Sequence, residues 1–270
     1  MTSVLGRYSR ILLCFARNGL VRELSFRVNF LVTVVSEILW LGMMLVFVQV
    51  IFRFTRQIDG WSNHEYLFLL GTHFLISSIF EAFFFDNLQR ISAQIRTGDL
   101  DFVLLKPANT QFLLSLERIS YTAIANIPLG VILCVYSFSK LDVPLTFQHV
   151  SMFLILVCSG VMTLYSLMFM FSATSVWLIR QTSASHFWFY LTSCSKYPAE
   201  IYKPMVRGVL WFALTFVFPV LIVANLPANV MVRVFEPYLV AYALFIAVGL
   251  LLFSSFVFNW AMRKYRSASS

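Results

Sequence analysis

The chain of 270 residues is 60% hydrophobic and only 12% charged, and its mean hydropathy is +0.81. Soluble domains carry about 25% charged residues, so this composition excludes a globule whose whole surface faces water. The net charge is +8, but Lys and Arg occur in small groups between apolar runs, as in the flanks of membrane spans. We therefore expect a membrane-embedded protein in contact with lipid, and we expect no nucleic-acid partner.

Residues 1–27 precede the first long apolar run and are predicted to form an amphipathic interfacial helix. Its apolar face holds Tyr8, Ile11, Leu12 and Phe15, and its basic face holds Arg7, Arg10 and Arg17. Asn18 and Gly19 predict a break in this helix. Such a helix lies along the inner leaflet with its arginines near anionic head groups, where it serves either as an anchor or as a mechanical part of gating.

Six apolar segments are long enough to cross a bilayer, which takes about 20 residues. They cover approximately residues 28–51, 66–85, 119–138, 150–179, 208–226 and 238–260, and residues 261–270 form a tail. None alternates in the way that a β-barrel strand does. The predicted fold class is therefore all-α, a polytopic membrane protein with six transmembrane helices over residues 28–260.

The distribution of Lys and Arg predicts which side of the membrane each loop faces. If the N-terminus is inside, 15 of these residues lie in cytoplasmic segments and four lie in outer loops. The outer four are Arg53, Arg56, Lys140 and Arg233, and residues 180–207 contribute Arg180, Lys196, Lys203 and Arg207 to the inner set. Because cytoplasmic loops are enriched in these residues, both termini are predicted to be cytoplasmic, in the plasma or inner membrane.

The largest predicted cytoplasmic loop, residues 86–111, contains two helix signals. Thr97 and Gly98 end a helical extension of the second span. Asp99 is a suitable N-cap for a short helix that ends before Lys106 and Pro107. A short helix with one apolar side is shaped to bind a groove on a soluble partner. The alternative is that it packs against the chain's own helices or the lipid surface.

Charged residues within spans cost about 2.5–3.5 kcal/mol each at the helix centre, so each calls for a partner or a function. Glu37 is predicted to lie near the midplane, and Glu81 near the cytoplasmic end of the second span. Glu117 and Arg118 open the third span, and Glu81 with Arg118 is a predicted ion pair. These four residues either fix helix packing or contact a transported molecule.

Motifs for catalysis and cofactor binding are absent from the sequence. The four cysteines are widely spaced without CxxC, and the four histidines form no HExxH, so we expect no metal site and no catalytic residue. The phosphate-binding motif GxxxxGK[ST] does not occur. We therefore expect this chain to bind no cofactor itself, and we expect any dependence on ATP and magnesium to come from another polypeptide.

The run IRTGDLDFVLLKP at residues 95–107 resembles the loop between spans two and three of small six-span ABC-type export permeases, the type-2 transmembrane subunits. Residues 15–30 (FARNGLVRELSFRVNF), 36–41 (SEILWL) and 197–204 (YPAEIYKP) are also similar in style. The resemblance implies a coupling helix that touches an ATPase subunit through Asp99, Leu100, Asp101, Phe102, Leu104 and Leu105. It also implies a complex of two ATPase subunits with two permeases, the second being either another copy or a related chain.

The transported molecule is not specified by any motif. An aromatic-rich bundle suits a lipid-like, glycolipid or amphipathic substrate, although aromatic side chains also simply face lipid. An ion-coupled secondary transporter is the main alternative, but it would usually show an internal repeat, and residues 28–138 and 150–260 show none. A non-transporting membrane scaffold stays open as a further alternative.

Overall fold

The computed structural model describes residues 4–177, 189, 192–233 and 237–265, and for residues 4 and 5 the backbone alone. Within these ranges the regular structure is helical apart from an isolated bridge between Ile58 and Trp61. We number the principal helices α1 (Val4–Ser25), α2 (Arg27–Phe54), α3 (Asn63–Thr97), α4 (Leu100–Leu104), α5 (Thr110–Leu116), α6 (Tyr121–Phe138), α7 (Phe147–Val176), α8 (Met205–Val217), α9 (Val220–Val232) and α10 (Pro237–Lys264).

Five of the helices in the described ranges are long and apolar enough to cross a membrane, namely α2, α3, α6, α7 and α10. The bent pair α8 and α9 brings the number to six if it is counted as one span. The predicted all-α polytopic fold class is confirmed.

The helix contacts define two ends of the bundle, which we name the Trp61 end and the Gly98 end. Trp61 lies in the loop that joins α2 to α3. Close to it along α3, Phe68 contacts Phe138 at the end of α6 and Phe153 near the start of α7, with ring centroids 6.0 and 5.7 Å apart. The loop before α3, the end of α6 and the start of α7 therefore share the Trp61 end.

The Gly98 end gathers the opposite termini of the same helices. Gly98 follows α3 directly and has a φ of 80°, a left-handed conformation that glycine adopts without strain. Ser92 in the last part of α3 hydrogen-bonds Ser175 at the end of α7. Trp177 contacts Trp260 near the end of α10, with ring centroids 4.8 Å apart, so α10 runs toward the same end.

The segment predicted as the fifth span, residues 208–226, is two helices. α8 and α9 meet at an angle of 84°. Phe218 between them leaves the helical region (φ −117°, ψ 84°), and Pro219 has no N–H to continue a helical hydrogen-bond ladder. The sequence predicts one crossing here with a kink at Pro219. The kink is present, but the prediction of a single crossing is wrong, because Phe218 and Pro219 both leave the helical conformation and turn the chain.

Both arms of this re-entrant hairpin, α8 and α9, reach the Trp61 end. Arg233, directly after α9, lies 4.1 Å from the centre of the Trp61 ring. Glu200, shortly before α8, accepts a 3.1 Å hydrogen bond from Trp61 Nε1. At the turn, Phe218 stacks on Phe171, which lies near the Gly98 end of α7. The hairpin thus enters the bundle from the Trp61 end and returns to that end.

Residues 197–207 therefore lie at the opposite end from that predicted. The sequence predicts Lys203 and Arg207 in a cytoplasmic loop together with Arg180, which lies outside the described residues. Trp177 lies at the Gly98 end, whereas Glu200 lies at the Trp61 end. The assignment is wrong because counting charges treats each apolar segment as a crossing, and a hairpin begins and ends on one side.

The N-terminal helix α1 is continuous, so the predicted break at Asn18 and Gly19 is wrong. A Cβ on Gly19 would lie 3.0 Å from the carbonyl oxygen of Ile119. Tyr121 donates a 2.9 Å hydrogen bond to the carbonyl of Ala16. The glycine therefore permits close contact between α1 and the start of α6, rather than ending a helix.

Small residues also set the spacing of the helices in the core. A Cβ on Gly71 of α3 would meet Cys134 Sγ of α6 at 2.9 Å, and one on Gly130 of α6 would meet the backbone of Leu75 at 3.0 Å. Such close approach is typical of helix pairs in membranes, where van der Waals contact replaces the hydrophobic effect as the driving force. α2 packs less closely against the bundle than α3 and α6 do, since Val48 is the one buried residue among its described side chains.

Candidate functional site

A groove of about 520 Å³ opens within the membrane-spanning part of the bundle, and we name it the intramembrane groove. One wall is α2, and the other walls are α3, Asn126 of α6, Phe189 and residues 192–196. Its polar and aromatic lining residues are Ser36, Glu37, Trp40, His73, Phe74, Ser77, Ser78, Glu81, Asn126, Phe189, Thr192, Ser193 and Lys196. The groove therefore offers acidic, basic and aromatic groups along one path.

Two polar side chains of the groove, those of His73 and Asn126, show how it is built. His73 Nδ1 lies 2.8 Å from Ser195 Oγ, which fixes the imidazole against residues 192–196. The Asn126 residue is only 3% exposed, and its Oδ1 has no hydrogen-bond partner within the protein. Burying an unpaired amide oxygen costs free energy. Asn126 is thus a ready acceptor for a molecule that enters the groove.

Both acidic residues predicted inside the spans, Glu37 and Glu81, line this groove. The predicted ion pair between Glu81 and Arg118 is wrong, because within the described residues these two side chains do not pair. Glu117 instead lies 3.9 Å from Arg90. The sequence placed Glu81 and Arg118 at similar depth, but depth does not fix the face of a helix.

Arg118 lies outside the spans, at the Gly98 end. Its backbone is held by Asn87, whose Nδ2 donates to the Arg118 carbonyl at 2.7 Å and whose Oδ1 accepts from the Arg118 N–H at 2.8 Å. Burial, and then the neighbouring Arg90 and Arg22, lower the pKa of the Arg118 guanidinium from its ordinary value. No pattern in the sequence distinguishes Asn87 from any other polar residue within a long helix.

A π-helical turn at residues 81–85 interrupts the regular hydrogen bonding of α3. Its Ala82 carbonyl accepts a 2.9 Å hydrogen bond from the N–H of Ser120, just before α6. Turns of this kind are often found at functional sites. Here the turn begins at Glu81 of the groove, so the groove and the Gly98 end are joined through one irregular stretch of helix.

The short helix α4 forms where the sequence predicts it, directly after Gly98. Leu100 is completely buried and Val103 is 6% exposed, whereas Phe102, Leu104 and Leu105 are 69%, 40% and 81% exposed. We name these three exposed side chains the docking surface. Leu100 was predicted to touch a partner, but the structure places it inside the chain's own core.

The two aspartates of the predicted partner site have contacts within the chain. Asp99 was expected to cap α4, but its carboxylate instead accepts a 2.7 Å hydrogen bond from Thr97 Oγ1. Asp101 lies beside Tyr265, directly after α10. Burial, and then this carboxylate, raise the pKa of the Tyr265 phenol. The aspartates therefore tie α4 to neighbouring segments, and the apolar docking surface is what the helix presents outward.

Within the described residues, His, Cys, Asp and Glu side chains form no group of three or more suited to hold a metal ion. Two comparisons with known proteins return nothing, since neither a curated protein nor a solved structure matches the chain. A family model described as "ABC-2 family transporter protein" matches residues 38–269. The match covers most of the chain, including α4 and every residue of the intramembrane groove except Ser36 and Glu37.

Proposed function

The chain belongs to the ABC-2 family of transporter proteins, and from this premise we propose that it is the permease of an ATP-driven exporter. In this proposal a separate polypeptide supplies the ATPase and holds the ATP and magnesium, since the sequence contains no GxxxxGK[ST]. The permease itself makes and breaks no covalent bond. The observation that carries the assignment of a partner is the docking surface on α4.

The docking surface has the composition of an interface rather than of a soluble loop. Phe102 within α4 and Leu105 directly after it are more than two-thirds exposed, although the other side of the helix is buried. Helix-in-groove recognition uses an apolar face of this kind. A cleft on an ATPase subunit would cover these two side chains and leave Leu100 inside the permease.

Two connections would carry a displacement of α4 toward the groove. Ser172 of α7 donates a 2.9 Å hydrogen bond to the carbonyl of Leu88 in α3, and Ser92 of α3 pairs with Ser175. α3 therefore moves with α7 at the Gly98 end, and α3 also supplies His73 and Glu81 to the groove. ATP shifts the arrangement of the helices only if it binds one arrangement more tightly than another.

The intramembrane groove supports a lipid-like, glycolipid or otherwise amphipathic cargo. Its volume of about 520 Å³ falls in the range of roughly 300–1,000 Å³ that is usual for small-molecule sites. Charged Glu37 and Lys196 lie in it beside the aromatic rings of Trp40 and Phe74. We propose that Glu37 contacts cargo, and that a second permease, either the same or related, covers the largely unburied α2.

Charge counting assigns the Gly98 end to the cytoplasm. Lys203 and Arg207 are now counted at the Trp61 end, and Lys196, which lines the groove, is counted at neither end. The predicted ratio of 15 to 4 basic residues therefore becomes 12 at the Gly98 end to 6 at the Trp61 end. The excess of basic residues thus stays with the Gly98 end, although it is smaller. We propose that both termini are cytoplasmic, that α1 lies at the inner leaflet, and that the protein resides in the plasma or inner membrane.

The proposal is tested by isolating the tagged chain from its native membranes and reconstituting it into liposomes with the polypeptides that accompany it. We expect a copurifying ATPase and ATP-driven movement of a fluorescent amphiphile. Glu37→Gln should slow this movement, whereas Glu23→Gln, on α1 and away from the groove, should leave it unchanged. Transport by the isolated chain on an ion gradient without ATP would instead identify a secondary transporter, and an absence of transport under both conditions would favour a scaffold.

A further inference from the structure

A second cavity, of about 490 Å³, lies at the Trp61 end between the arms of the re-entrant hairpin and the start of α10. We name it the hairpin pocket. Apart from Ala199, Glu200 and Lys203, its lining residues belong to α8, α9, α10 or the position directly after α9, so it shares no residue with the intramembrane groove. The proposed transport function makes no use of this pocket.

The lining of the hairpin pocket changes from charged to apolar with depth. Lys203 and Arg233 lie in it beyond the outer ends of the two arms, at the Trp61 end. Leu221 and Ile222 lie in it near the turn of the hairpin. A membrane leaflet changes in the same order, from charged head groups at its surface to hydrocarbon toward its centre. An occupant that matches both parts of the pocket is amphipathic.

Two polar atoms of the hairpin pocket lack a partner within the protein. Thr215 is 4% exposed, and its hydroxyl forms no hydrogen bond. Asn229 Oδ1 is likewise buried and without a partner. Buried hydroxyl and amide groups are nearly always hydrogen-bonded in folded proteins. The pocket therefore contains a hydrogen-bond donor and an acceptor that a bound molecule would satisfy.

The two cations of the pocket differ in availability. Arg233 is engaged, since its guanidinium donates to the Gly60 carbonyl at 2.6 Å, lies 3.5 Å from Glu65 and stacks on Trp61. Lys203 is exposed and forms no ion pair with the described carboxylates; its Nζ lies 5.9 Å from the centre of the Trp211 ring. Lys203 is the cation that can bind an anionic group.

Exposed aromatic side chains form part of the pocket lining. Phe216 and Tyr238, which line the pocket, are 38% and 67% exposed, and exposed aromatic side chains of this kind suit contact with lipid. The lining is therefore compatible with an occupant that enters from the bilayer.

We propose that the hairpin pocket binds one phospholipid molecule from the leaflet at the Trp61 end. The head-group phosphate binds Lys203 at the outer end of the pocket, an ester carbonyl oxygen deeper in the lipid accepts a hydrogen bond from the Thr215 hydroxyl, and one acyl chain lies along Leu221 and Ile222. The lipid fills the space between the hairpin and α10, and so holds the hairpin in place.

The proposal is tested on the purified full-length chain, stripped of lipid in detergent and titrated with phosphatidylglycerol while native mass spectrometry records the bound fraction. We expect saturable binding of one lipid, weakened about tenfold by Lys203→Gln, since losing one charge-assisted phosphate contact costs about one factor of ten. Lys140→Gln, which removes another exposed cation at the same end, should leave the binding unchanged. Equal weakening by both substitutions, or binding that does not saturate, would show nonspecific annular lipid and overturn the proposal.

Thr215→Val provides a second measurement in a variant that loses no internal hydrogen bond. Without lipid its melting temperature should equal or exceed that of the unmodified chain, because an unpaired buried hydroxyl has been removed. With phosphatidylglycerol, its gain in melting temperature should be smaller than that of the unmodified chain. An equal gain contradicts the proposed contact. Displacement of the lipid by millimolar inorganic phosphate would assign the site to a soluble anion, and equally tight binding of a phosphate-free glycolipid would exclude phosphate recognition.

Discussion

Replacing Phe102 by Ala is expected to weaken ATPase binding without weakening the fold. A Phe side chain has roughly 200 Å² of surface, and Phe102 is 69% exposed, so about 140 Å² is available for a partner to cover. At about 25 cal/mol per Å², and allowing for the Cβ that alanine retains, the lost contact amounts to about 3 kcal/mol. Because about 1.4 kcal/mol corresponds to a factor of ten, the Kd should rise roughly a hundredfold.

The measurement is the Kd between the permease in lipid nanodiscs and the ATPase subunit recovered with it, determined with ATP present. Phe147→Ala is the matched control, because Phe147 is 88% exposed but lies at the Trp61 end. Both variants should melt within a few degrees of the unmodified chain, since substitutions of exposed side chains usually change stability by no more than about 0.5 kcal/mol.

Leu100→Ala completes the comparison. Leu100 is fully buried, and large-to-small changes at such positions cost about 2–5 kcal/mol of stability. It should therefore lower the melting temperature, whereas the protein that remains folded should bind the ATPase subunit with little change in Kd. An unchanged Kd for Phe102→Ala, or an equal loss for Phe147→Ala, would refute the assignment of α4 as the docking element.

Three further substitutions probe the fold by thermal unfolding in detergent. Gly71→Ala should lower stability by about 1–3 kcal/mol through overpacking, because its Cβ would meet a cysteine sulfur at 2.9 Å. Gly42→Ala is the control and should not destabilise the protein, because its Cβ would have no atom within 4 Å. Equal effects of the two substitutions would contradict the close helix contact at Gly71. Asn87→Leu leaves two main-chain groups of residue 118 unpaired and should lower stability by about 1–3 kcal/mol for each. A smaller loss of stability than one hydrogen bond provides would argue against the contact of Asn87 with the Arg118 main chain. Trp61→Phe keeps an aromatic ring but loses the bond to Glu200, and it should lower stability by about 1.5–3 kcal/mol; unchanged stability would argue against that bond.

The spans and the break before α4 were predictable because they depend on local energies. Transferring about 20 apolar residues into hydrocarbon is favourable wherever they occur in a chain, so hydropathy indicates which segments enter the membrane. Gly98 ends α3 because a left-handed residue after a helix favours glycine. Neither inference requires knowledge of a neighbouring helix.

The path of the hairpin was not predictable from the same energies. The apolar run over residues 208–226 satisfies a bilayer whether it crosses or turns back. Its direction depends on contacts with distant residues, such as that of Arg233 with Trp61 and that of Phe218 with Phe171. Pro219 was visible in the sequence, but a proline within a span bends a helix more often than it reverses the chain.

The docking element shows the same division between local and distant causes. Its existence followed from Gly98, Lys106 and Pro107, but a helix of five residues contains too few turns for periodicity to show which face packs inward. Contacts with the rest of the chain bury Leu100 and leave Phe102 exposed. They also brought Glu81 to the groove of Glu37 rather than to Arg118, because the face of a helix that meets a neighbour depends on packing, which hydropathy along one chain does not record.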